Sequence, residues 1–149
     1  MRAKATAMTR TGGIGLPRRL SATFAVYVAR ALSTRSPQRI RRVLTALKRG
    51  ARPATLDEAR AAHRSVLASS VMVAGDGCLP RSIAVVLLCR ARGGWPTWRV
   101  GTRLHPFRAH AWVEVGGVPV GEPSGVDHWS PLITIAPPTA GGSRGTASR

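Results

Sequence analysis

A cysteine, a histidine and a glutamate lie in the middle of this chain in the order of a nucleophilic site. Cys78 stands in Gly75-Asp76-Gly77-Cys78-Leu79-Pro80-Arg81-Ser82, directly before the apolar run Ile83-Ala84-Val85-Val86-Leu87-Leu88-Cys89. His110 stands in Phe107-Arg108-Ala109-His110-Ala111-Trp112-Val113-Glu114-Val115, and Glu122 closes Val118-Pro119-Val120-Gly121-Glu122 beyond a glycine pair. A thiol, an imidazole that takes its proton and a carboxylate that orients the ring together attack carbonyl carbon. The thiolate is the attacking form, and a helix N-terminus favours it through unpaired N–H groups and the dipole. The Gly75-Asp76-Gly77 loop puts Cys78 at such a place, and Pro80 suits a first turn that does not need its N–H. The N–H of Cys78 is then a donor for the oxyanion of an acyl intermediate. Cys89, in the apolar body of the same helix, reads as a core filler.

Strand alternation sets His110, Trp112 and Glu114 on a face toward a cleft, and Ala111, Val113 and Val115 on the core face. Trp112 would shield the Cys78–His110 pair from water or help dock a substrate. The place of Glu122 depends on register. A two-residue turn at Gly116-Gly117 pairs it with Ala111 and faces it away from His110. A three-residue turn with a bulge pairs it with Trp112 and puts it on the His110 face, so the triad requires the longer turn. Asp76 and Asp127 are other acids for that third position; His105 and His128, in loops, are weaker bases. Taken singly, a cysteine at a helix start or a histidine in a strand is more often structural. Their joint order on helix, strand and next strand favours catalysis. Close-set ligand pairs for a metal are missing from the pattern, and these residues call for no cofactor.

The elements that must hold this site follow from periodicity. Residues 1–16 are small, basic and glycine-broken, and read as a disordered N-terminus. Pro17 opens a helix in which Leu20, Phe24, Tyr27, Val28, Ala31 and Leu32 share the packing face. Ser36-Pro37 caps a second helix with Ile40, Val43, Leu44 and Leu47 inside and Arg39, Arg41, Arg42, Lys48 and Arg49 outside, ended by Gly50. Thr55-Leu56-Asp57-Glu58 is a capping box for a third helix to about Ser70. The Cys78 helix runs to about Arg92, where Gly93-Gly94 stop it. Strands follow at Trp98–Arg103, at Ala109–Val115 and, past the glycine turn, at Val118–Glu122. Beyond Pro123 the periodicity is lost, and residues 137–149 read as a flexible tail. The fold class is α+β, one domain over 17–136, with N-terminal helices at 17–70 and a catalytic core at 71–136.

The formal net charge is +17, and residues 1–52 hold 13 of the 23 Lys+Arg with none of the six acids. Such an excess suits nucleic acid, an anionic surface or an acidic polypeptide; it also fits a compositional habit, since only Lys4 and Lys48 are lysines. Aromatic residues make up only 5% of the chain, too few for base-stacking platforms, and no nucleic-acid motif is present. The two cysteines would lie about 16 Å apart along one helix, too far for a disulfide, which fits a reducing cytoplasm. No apolar run reaches the length of a membrane span, because Arg30 interrupts Phe24–Ala29. The acid-free N-terminus is similar to a mitochondrial transit peptide, but the helical pattern continues from it into the domain.

Over about Ala54 to Pro123 the chain resembles the transglutaminase-like cysteine proteases of lasso-peptide biosynthesis, the leader-peptidase or B proteins. The resemblance rests on Gly77-Cys78-Leu79-Pro80-Arg81-Ser82, on Pro106-Phe107-Arg108-Ala109-His110-Ala111-Trp112-Val113-Glu114 and on Val120-Gly121-Glu122. It implies a papain-like core in which a Cys-bearing helix packs on a small antiparallel sheet, with Cys78 as nucleophile, His110 as base and Glu122 as acid. Aspartate commonly fills that last place, so Glu122 is a departure. It further implies a stand-alone protease that removes the leader from a ribosomally made lasso precursor peptide, beside a separate leader-recognition protein and a lasso cyclase. Arg41 and Arg42 on the basic helices would dock the acidic leader or the recognition partner. Two other readings stay open: acyl transfer to an amine on the same residues, as in transglutaminases, and a basic non-enzymatic binding protein.

Overall fold

The computed structural model describes residues 15–70, 77–122 and 126–139. Four helices and a four-stranded sheet make up these parts: α1 (Leu16–Ser33), α2 (Pro37–Leu47), α3 (Leu56–Ser70) and α4 (Cys78–Ala91), with β3 (Thr97–Arg103), β4 (Arg108–Val115), β5 (Val118–Pro119) and β6 (Ser130–Ile135). A separate two-residue parallel pair joins β1 (Arg52–Pro53) to β2 (Gly94–Trp95). The arrangement is α+β, with the Cys-bearing helix packed on an antiparallel sheet ordered β5-β4-β3-β6. The proposed N-terminal disorder and C-terminal tail fall largely on residues 1–14 and 140–149, outside the described residues; Leu16 already belongs to α1.

Helix α4 is the centre. Ser82, Ile83, Ala84, Val85, Val86, Leu88 and Cys89 are all buried, against α1 and α3 on one side and the sheet on the other. A helix apolar on every side belongs in a core. Trp98 of β3 reaches it, donating its indole N–H to Ser82 Oγ at 3.0 Å. The other end of α4 ties down α2: Arg90 Nε donates to the Leu47 carbonyl at 2.6 Å and its guanidinium to that of Arg49 at 3.3 Å. These are the open carbonyls that a helix C-terminus presents to cations.

The expected packing face of α1 is corrected. Its buried residues are Ala22, Ala25, Val26 and Ala29, while Leu20, Phe24, Tyr27 and Val28 face solvent. Small side chains let α1 approach α4 and α3 closely, and that fit decides the orientation over side-chain size. In α2, Ile40 and Leu44 are buried as expected, but Val43 and Leu47 remain partly open.

The capping box is present in full. Thr55 Oγ1 accepts from the Glu58 N–H at 3.2 Å, and Glu58 Oε2 accepts from the Thr55 N–H at 2.9 Å. Glu58 also holds the Arg52 guanidinium through both oxygens, which ties β1 to α3. Strand β6 was not expected, because Pro131 interrupts its pattern. It lies at the sheet edge against β3 with a bulge between Val100 and Gly101, a position that tolerates a residue without an N–H.

The bond to Arg52 and the Thr55 contacts hold the Glu58 carboxyl down to about 2, against an ordinary 4.5. A lowered carboxylate stabilises above its ordinary value and loses that contribution as pH falls toward 2. Glu58→Ala should therefore cost about 1 kcal/mol at pH 7, since solvent screens the ion pair and most of the loss is the cap. Urea unfolding should show the gap between variant and wild type narrowing from pH 5 to pH 2; a constant gap would refute the assignment.

Candidate active site

Cys78 is the first residue of α4, half-buried, with Gly77 as its N-cap. Among the described residues no side chain caps this end, and the first backbone bond back to Gly77 comes from Arg81 at 3.3 Å. The N–H groups of Cys78 and Leu79 precede that bond, and Pro80 has none to offer. Of the loop before it, Gly75 and Asp76 lie outside the described residues. Cys89 is the opposite case: burial pushes its thiol up to about 12, so it stays protonated and inert.

His110 is on β4 opposite Gly101 of β3. Its Nε2 lies 2.9 Å from Glu122 Oε2, both side chains being about four-fifths covered. The carboxylate accepts, so Nε2 carries the hydrogen and Nδ1 is left as the basic nitrogen. The ring contacts two indoles. Trp112 stacks on it at 5.9 Å and 17°, and Trp129 leans on it at 5.1 Å and 35°. Trp129 in turn carries the Arg103 guanidinium at 5.2 Å over its ring.

The turn before Glu122 corrects the register argument. Val115 pairs with Val118 and Glu114 with Pro119, so the turn at Gly116-Gly117 is the tight one. Val120 keeps that register through an N–H bond to the Val113 carbonyl at 2.9 Å. The chain then breaks away at Gly121, whose φ is +73°. That left-handed residue re-aims Glu122, which extended pairing would have placed opposite Ala111 on the wrong face. A bulge-like change of direction is present, but it comes after the strand instead of in the turn.

Cys78, His110 and Glu122 line one cleft with a cavity volume of about 30 Å³, space for a water-sized body. It sits where β4 runs on past the short β5. His63 of α3, unremarked in the sequence because α3 reads as plain packing, lines it too. Burial first, then the Arg81 charge, hold the His63 imidazole below its ordinary value while Glu122 pulls it the other way, so it is neutral at pH 7. Its ring lies against Gly121 so closely that a Cβ there would overlap the imidazole. Trp129 was also missed, since it follows the stretch where periodicity fails. Neither residue carries a local signal; only the folded chain assembles them.

Residues 22–134 match the transglutaminase-like superfamily. The chain belongs to this superfamily. No curated protein and no solved structure matches it. Superfamily membership supports chemistry of the cysteine-peptidase or acyltransferase type, and the three residues singled out in the sequence converge in one cleft of this member. The remaining candidates are placed elsewhere. Asp127, His105 and His128 are exposed and do not line the cleft, and Asp76 is outside the described residues. Trp112 is 3% exposed, with its N–H 3.3 Å from Glu114 Oε2, so it is a wall of the site and not a docking platform. Glu114 is spent on Arg99 at 2.8 Å. Both faces of β4 are thus covered, against the expected alternation: Trp112 and Glu114 are buried along with Ala111 and Val113, and Trp129 leans on His110. Arg41 and Arg42 border a separate open groove on α2 with Gln38, Thr45 and Arg49. Among the described residues no group of three or more His, Cys, Asp and Glu side chains could hold a metal ion.

Gly121→Ala should lose about 2–3 kcal/mol from the left-handed φ and the overlap with His63 together. Adding His63→Ala should recover the overlap share but not the backbone share. A double-mutant cycle by urea unfolding checks this; strictly additive losses would show that the two residues do not press on each other.

Proposed function

We propose that this protein is a cysteine peptidase, with Cys78 as nucleophile, His110 as general base and then acid, and Glu122 as the orienting carboxylate. The observation that carries the reading is the His110 Nε2–Glu122 bond in a cleft shared with Cys78, which leaves Nδ1 for the thiol proton. In this mechanism Nδ1 takes the proton as sulfur attacks the carbonyl carbon. The oxyanion faces the first-turn N–H groups of α4, that of Cys78 foremost. Collapse breaks the C–N bond, and His110 returns the proton to the departing amine. Water, activated by the same imidazole, then hydrolyses the thioester and frees the thiol.

The narrower reading is that the substrate is the leader of a lasso precursor peptide, presented by a separate leader-recognition protein and passed on to a lasso cyclase in the cytoplasm. Its support is the wording Gly77-Cys78-Leu79-Pro80 and Ala109-His110-Ala111-Trp112-Val113, which resembles the leader peptidases, and the acid-free basic surface of α2. Acyl transfer to an amine is the second reading within the same superfamily.

The test is incubation with a synthetic lasso precursor and a recognition protein, followed by mass spectrometry. Free leader and core indicate hydrolysis; an isopeptide adduct with no released leader indicates transfer and overturns the proposal. Cys78→Ala should abolish turnover, Glu122→Ala should cost about 10²–10⁴-fold in kcat, and Glu122→Asp should restore part of it. Full activity in Cys78→Ala would sink the mechanism. Reversing Arg41 and Arg42 to Glu should raise KM for the precursor while leaving kcat and the fold unchanged; an unaltered KM would remove them from docking.

A further inference from the structure

The outward side of α1 is apolar along its whole length. Leu16, Leu20, Phe24 and Tyr27 recur every three or four residues on the side opposite the buried alanines, and they are 70, 64, 71 and 59% exposed. Ala31 continues the stripe and Val28 widens it. Isolated exposed apolar residues are ordinary, but a contiguous row with two aromatic side chains marks a contact surface. A helix apolar on both sides is expected to be covered on both sides. Here the alanine side is covered by α4 and α3, and the larger side chains are left outside.

The charges around the stripe select what covers it. Arg19 and Arg30 follow one border of the helix, Arg35 lies just past its end, and the first acid in the chain is Asp57. A second copy would bring arginine to arginine in a chain of net charge +17, which like-charge repulsion opposes. The chain's own residues 1–14 and 140–149 contain no acid either and repeat the same sign. An in-plane membrane helix turns a strongly charged face away from its apolar one, whereas the side of α1 opposite the stripe is Ala22, Ala25, Val26 and Ala29 packed against α4 and α3. We propose that the α1 face of Leu16, Leu20, Phe24 and Tyr27 is a docking surface for a protein partner with an apolar ridge bordered by carboxylates. This inference rests on exposure and charge, and stands whether or not the cleft is a peptidase site. Phe24 and Tyr27 are the anchors, and the arginines set orientation and salt dependence.

The test uses the full chain and a fluorescein-labelled synthetic helix with a Leu/Phe ridge bordered by Glu, beside the same helix with Lys in place of Glu. Saturable binding of the Glu helix is expected, weakened by added salt, with at least tenfold weaker binding of the Lys helix. Phe24→Ser with Tyr27→Ser should weaken binding about tenfold or more, and Arg19→Glu about threefold, with unchanged circular dichroism and Tm, since these side chains are exposed. No saturable binding, equal binding of the two helices, or wild-type affinity in both variants would overturn the proposal. So would a stable dimer dissolved by the Phe24/Tyr27 change, which assigns the face to a second copy. Binding to phosphatidylglycerol vesicles, lost in that same variant, would assign it to a membrane and overturn it equally.

Discussion

The bond between His110 Nε2 and Glu122 is the constraint on which the rest of the cleft depends. An imidazole has two nitrogens, and a base facing a thiol must keep one of them free and correctly turned. Glu122 occupies one nitrogen at 2.9 Å, and the indoles of Trp112 and Trp129 limit rotation of the ring. The carboxylate arrives there only because Gly121 departs from the ladder with φ +73°. His63 presses on that same glycine, so one helix outside the sheet supports the position of the acid. The order of support therefore runs from α3 to Gly121, from Gly121 to Glu122, and from Glu122 to His110.

Helix α4 supplies the other half of the site. Its body is buried on all sides, which fixes its axis, and a fixed axis fixes where its first residue emerges. Cys78 is that first residue. Trp98 reaches from the sheet to Ser82, one turn further along, and couples the strand layer to the thiol-bearing end. Cys78 thus belongs to a deeply buried helix and His110 to the adjacent strand layer. Such a division suits chemistry that tolerates little displacement of reacting atoms.

Much of this was legible in the chain. The start of α4 at Cys78, the Thr55–Glu58 capping box, the glycine stop after α4 and the two long strands are local events, governed by backbone preference within a few residues. The candidate residues were legible as well, because a cysteine at a helix start and a histidine in a later strand have their order in the sequence. What went unread involved contacts between distant segments. The alanine face of α1 is the inner one because α4 and α3 lie close to it, and nothing within α1 records that distance. Strand β6 exists because β3 offers an edge that can accept a proline-containing partner.

Sequence alone determined the superfamily, the helix-then-strand order and the identity of the cysteine, histidine and glutamate in the cleft, since each is set by residue type and short-range spacing. Tertiary structure decided how Glu122 reaches His110 despite the tight hairpin, that His63 and Trp129 join the site, and which side of α1 faces outward. The physical reason is common to all three. Each depends on which surfaces approach across long stretches of chain, where packing and charge act between elements that carry no mark of one another.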